Sequence, residues 1–184
     1  KAFAILKQQE PKKSREALYL FNVGYSQRRV LIDAHSMSGV SVNDYQFQED
    51  QSKMPVVVAC LWEARELFPD EERNSLAYIR NLGALIDSLV HTAIPRNLYY
   101  ATELYSEYEN CISHLPAREK SQDIQVADDI RNSIQIATEI MQNSLILSGD
   151  FHQEGERFRN SRKIVDAEFE IERLNQLVIL YQEL

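Results

Sequence analysis

The sequence predicts an all-α fold, a helical bundle of five or six helices. Apolar residues recur at spacings of three and four from Pro55 to the last position, Pro69, Pro95, Pro116 and Gly149 fall between the periodic segments, and only 5 Gly and 5 Pro occur in 184 residues. That length suits one domain with a substantial core, so 1–184 is read as one helical domain, with an arm and loop region over 1–52 and the bundle over 53–184. A composition of 44% hydrophobic and 26% charged residues excludes collagen-like, low-complexity and disordered classes.

Residues 14–35 are ambiguous. Ala17, Leu20, Phe21, Leu31 and Ile32 suit a helix, while 18–23 and 29–34 suit two short strands flanking Gly24. Helix is favoured, with a small β element within 17–48 as the alternative. Residues 36–52 are polar and turn-rich, which reads as a long loop with some β character around Val40 and Val42. Ser52 then offers an N-cap, Pro55 is tolerated in a first turn, and Val58, Leu61, Trp62 and Leu67 carry a helix to Phe68-Pro69.

The next helix is expected from near Asp70, where Glu71 and Glu72 suit the positive end of its dipole, with Ile79, Leu82, Gly83, Ile86 and Val90 on one face. It ends before Pro95. A third, from about Arg96 to Leu115, buries Ala101, Leu104, Tyr105, Tyr108, Ile112 and Leu115. A fourth runs from about Asp123 to Leu147, capped near Gly149, and bears two apolar stripes, Ile130, Ile134, Ala137, Met141, Leu145 and Ile136, Ile140, Leu147. Two stripes place it between neighbours at the centre of the bundle.

A single long helix from about Asp150 to Leu184 closes the chain. Ile164, Ala167, Ile171, Leu174, Val178 and Tyr181 are spaced 3, 4, 3, 4, 3, a heptad seam of about two and a half repeats. The seam is expected inside the bundle, with a partner helix or a coiled coil continuing past residue 184 as the alternative. Leu177, Leu180 and Leu184 form a second row beside it. With no initiator Met and an apolar pattern running to the final residue, the chain reads as a fragment of a longer protein.

Charge is uneven: residues 1–32 carry a formal +5 and the remainder −13, for a total of −8. The acidic whole argues against nucleic acid as a partner, because phosphate binding draws its affinity from clustered cations. The basic arm is expected to pack on the acidic helices of its own fold, with Lys12, Lys13, Arg28 and Arg29 as candidates for an anionic lipid surface. Cys60 and Cys111 in apolar helical contexts favour a reducing, cytoplasmic setting over a disulfide framework. No stretch approaches the roughly 20 apolar residues of a membrane span, and the N-terminus lacks the apolar core of a secretory signal.

No metal or cofactor is expected. None of His35, His91, His114 and His152 has an acid three residues before it, as a carboxylate–histidine bundle site would need. Asp87 and His91 share a helical face, while Glu103 and Glu107 on the following helix are expected to face solvent. Catalytic glycine loops and nucleophile elbows are absent. Tyr99 and Tyr100 lie off the apolar stripe of their helix and are candidate partner contacts, as are Leu177, Leu180 and Leu184 on the last helix. Trp62 is expected in the core. The leading functional reading is a non-enzymatic adaptor or scaffold that binds a protein partner, or a second copy, through helical faces. The alternatives are a membrane-surface module and a ligand or enzyme site without a linear motif, for which Asp87, His91 and Trp62 are the candidates.

Overall fold

The chain forms an all-α fold in a computed structural model, which describes residues 13–38, 45–92, 94–116, 126–136, 138–139 and 150–183. Helix α1 (Lys13–Ser38) is followed by α2 (Tyr45–Leu67), a 3-10 turn (Asp70–Glu72), α3 (Leu76–His91) and α4 (Pro95–Ser113). Helical backbone over 126–136 is α5, and α6 (Asp150–Asn160) and α7 (Arg162–Glu183) complete the order.

Helix α3 is the hub. Ser75 caps it, its hydroxyl accepting from the Tyr78 amide at 3.2 Å, and Tyr78, Ile79, Leu82, Leu85, Ile86 and Leu89 are all fully buried. The uninterrupted run 82–86 gives this helix apolar flanks on several sides, so it can be enclosed where a single-striped helix cannot. Over its described part, the 123–147 segment expected at the centre lies at the surface. In α5, Ala127 and Ile130 are buried, but Val126 and Ile136 are exposed. Ala137, Ile140, Met141, Leu145 and Leu147 lie outside the described side chains. Helix α1 packs on α2, α2 on α3 and α7, α3 on α4, and α4 on α6.

Three further expectations need correction. Described residues within 17–48 are helical, so the β alternative fails there, and Val40 and Val42 lie outside the described residues. The long loop does not reach residue 52, because α2 starts at Tyr45. Residues 45–52 hold Gln, Glu and Asp but no Gly or Pro, so nothing in them breaks a helix that docking on α1 rewards. Ser52 is therefore not an N-cap, and Pro55 sits inside α2, where its missing N–H forfeits one helical bond. Finally, Asp70–Glu72 forms a 3-10 turn, and α3 proper begins behind Ser75.

Candidate interaction surface

The predicted single C-terminal helix is two helices with an elbow at Ser161. The Ser161 amide closes α6 by donating to the Arg157 carbonyl at 2.8 Å, and the Ser161 carbonyl opens α7 by accepting from Ile164 and Val165 at 2.9 and 3.1 Å. Asn160 and Ser161 are weak helix formers, and side-chain contacts reward the bend. Arg157 and Glu168, which would stand about 16 Å apart along a straight helix, form a two-pronged ion pair at 2.6 and 2.8 Å. Arg162 binds Glu103 at 2.6 and 2.9 Å and Asp166 at 2.7 Å, with its guanidinium 4.3 Å from the Phe158 ring centroid.

The bend sets two apolar faces on α7. Val165, Phe169, Leu177 and Leu180 are buried, with Arg173 among them. Phe169 packs at 4.7 Å from both Trp62 and Tyr100, and the Arg173 guanidinium donates to Glu170 at 2.5 and 2.9 Å and to Glu63. The heptad row points the other way over most of its length: Ile164 is 59% exposed, Ile171 61%, Leu174 47% and Val178 53%, while Tyr181, at 38%, has its hydroxyl half-buried near Glu63, Glu16 and Cys60. At 3.6 residues per turn the two rows lie roughly 150° apart around the helix. The expectation of a seam inside the bundle is thus corrected. The face carrying the large Phe169 ring and the Arg173 ion pairs is the one that docks, and the regular 3-4 row is left outside.

The proposed partner residues are used within the fold. Leu177 and Leu180 pack with Leu20, Ala59, Cys60 and Ala64, and Leu184 lies outside the described residues. Tyr100 is buried and donates to Asp166 Oδ1 at 2.6 Å, while Tyr99 stacks on Phe158 at 4.7 Å. Burial and the Asp166 carboxylate together push the Tyr100 hydroxyl pKa well above its ordinary value. Trp62 is half-buried in the same aromatic group.

Of the basic candidates, Lys13 and Arg29 are exposed, Arg28 forms an ion pair with Asp87, and Lys12 lies outside the described residues. The Arg28–Asp87 pair joins one cation of the arm to an acid of α3. It lies in a cleft of about 560 Å³ walled by Phe21, Tyr25, Gly83, Tyr108 and Ile130. His91 borders Asp87, its Nδ1 2.7 Å from the Asp87 carbonyl oxygen and 3.6 Å from the carboxylate. Trp62 is in the aromatic group instead, so the three candidates for a motif-free site do not assemble around the cleft.

Glu107 does not face solvent as expected. It is half-buried and accepts from the Tyr78 hydroxyl and, at 2.7 Å, from Arg65. Burial works to raise its pKa, but the bonds from Tyr78 and Arg65 and the Arg65 charge prevail and hold it below the ordinary carboxylate value. Glu103 is exposed but ion-paired with Arg162. Among the described residues no group of three His, Cys, Asp or Glu is placed to hold a metal ion, and no helix is long and apolar enough to cross a membrane.

What the sequence reading missed is which of two rows on α7 would dock. The available signal was that Val165, Phe169, Leu177 and Leu180 form a complete apolar face without the heptad row, so the row is surplus to the fold. Comparison with protein families, with curated proteins and with solved structures found no match.

Proposed function

We propose that this chain is a non-enzymatic protein-interaction module, an adaptor or scaffold, that engages a partner helix through the outer face of α7. The observation that carries the reading is the exposed row Ile164, Ile171, Leu174 and Val178 on a helix whose opposite face is already docked. Leaving contiguous apolar surface in water is unfavourable, and such patches mark interaction sites. A row at i, i+3, i+7 spacing is the footprint of helix-on-helix recognition. A reducing, cytoplasmic setting belongs to the same reading, supported by free thiols at Cys60 and Cys111. A lipid-binding basic arm draws less support, because Arg28 is committed to Asp87.

Affinity capture from cell extract, comparing the chain with its Ile171→Glu/Val178→Glu variant, tests the proposal. Both positions are exposed, so the variant keeps its fold. Binding partners lost in the variant support the reading; an identical set of captured proteins, together with a chain that stays a single copy in solution, overturns it.

A further inference from the structure

Resting on that reading, we infer that the partner helix is α7 of a second copy of this chain, the two lying parallel with their outer rows face to face. The 3, 4, 3, 4, 3 spacing selects the kind of occupant. A strict seven-residue repeat drifts around a straight helix, and stays on one side only if two helices wind about each other, each with its own heptad row. Around a two-fold axis the same row meets itself, so one chain supplies both halves of the contact.

The residues at each register position select the arrangement. With Ile164 at position a, the a layers are Ile164, Ile171 and Val178, all β-branched, and the d layers are Ala167 and Leu174, the following d residue, Tyr181, having its hydroxyl half-buried near Glu63 and Glu16 of its own chain. β-branched residues at a with Leu at d favour two parallel strands. The flanking charges agree. Lys163 at position g is exposed, and in a parallel pair it faces the following e position of the other helix, which is Glu168. Two-fold symmetry makes that opposite-charge pair twice, and Arg157 already holds the Glu168 carboxylate in place. The next crossing joins Glu170 to Asn175, and at the last Leu177 is docked on its own chain and Gln182 is uncharged, so no like charges oppose each other. In an antiparallel pair Lys163 would lie at the far end from Glu168 of the other helix, and the complementarity would be lost.

Two and a half heptads are too few to hold a free helix in water, because isolated helices of this length are marginal. Here α7 is already formed and held by Phe169, Leu177 and Leu180, so association does not bear the cost of ordering it. The outer row faces away from the core, and the bundle need not open.

Light scattering coupled to size-exclusion chromatography, from micromolar to submillimolar chain, gives the first readout. The mass is expected to rise from one copy to two, and Ile171→Glu/Val178→Glu is expected to hold it at one copy with unchanged circular dichroism and the melting temperature of the dilute, single-copy parent. Cysteine pairing gives the second. On oxidation, Ile171→Cys is expected to cross-link to itself, since like positions meet in a parallel pair, while the antiparallel arrangement would instead join Ile171→Cys to Leu174→Cys in a mixture. A wild-type mass of one copy throughout overturns the second copy as partner. If extract partners are still lost in the Glu variant, the interaction reading survives that result; if none are lost, both fall. A dimer that persists in the Glu variant, or one cross-linked only in the mixture, also overturns the proposal.

Discussion

The Leu61 side chain occupies the space where Gly24 would carry a Cβ: such an atom would sit 2.9 Å from Leu61 Cγ and 3.1 Å from Cys60 Cβ. Helices α1 and α2 therefore approach more closely than any larger residue at 24 would permit. Alanine there would gain about 1 kcal/mol of helix propensity but lose about 1–3 kcal/mol to overpacking. Gly24→Ala is expected to be net destabilising in urea unfolding and Gly24→Val more so. A stabilised alanine variant would show that Leu61 has room to move.

Gly24 also shows where the sequence was legible. The 3.6-residue periodicity of α3 and α4 predicted their existence and their ends near Pro95 and Pro116, because each meets a clear breaker, but a single row understated α3, where Tyr78, Leu85 and Leu89 are buried as well. In α1 helix is the favoured reading, but the same glycine keeps a turn between two strands open as the alternative, since a close helix contact and a turn both call for a residue without a side chain. On α7 two apolar faces competed. Periodicity describes the regularity of a row and says nothing of what lies opposite, and only the placement of Trp62 and Glu63 decided for Phe169 and Arg173. The elbow at Ser161 depends on Arg157, Arg162 and their acids meeting across the bend, which no local pattern encodes.

Glu107 ties acid stability to the α2–α3–α4 junction. Its carboxyl pKa is lowered in the fold and ordinary in the unfolded chain, so between the two values the unfolded chain binds more protons and stability rises with pH. The contribution is complete above the ordinary carboxylate range and is lost as pH falls through the lowered value. Glu107→Gln is expected to cost about 1–2 kcal/mol at neutral pH and to flatten the decline of melting temperature on acidification. A variant with the same acid slope as the parent would remove Glu107 from this role.

The two thiols should be silent in the folded protein. Burial pushes the Cys60 thiol up to about 12 and raises that of Cys111 as well, and the thiolate is the reactive form. Cys60 lies beneath Leu20, Leu177 and Leu180, so a reagent reaches it only when α1 or α7 lifts. Ellman's reagent at mildly alkaline pH is expected to label neither cysteine in the native chain and both in guanidinium. Rapid native labelling of Cys60 would show that α7 undocks readily.

Arg162 is expected to control α6 without controlling the bundle. Its guanidinium holds Glu103 and Asp166 and covers the Phe158 ring, which with Gly155 is what α6 buries among its described side chains. Arg162 and its acids are substantially exposed, so solvent screens the ion pairs, and Arg162→Gln is expected to lower global stability by only about 1 kcal/mol. Local stability is another matter, because a short helix held by few buried groups opens before the core does. Helix α7 keeps Val165, Phe169, Leu177 and Leu180 in place whether or not Arg162 is present. Amide hydrogen exchange in Arg162→Gln should therefore speed up across 150–160 and stay at the parental rate in α3 and in α7 beyond Phe169. Uniform acceleration through all the helices would mean that the elbow unfolds with the core as one cooperative unit, and that α6 is no separate appendage.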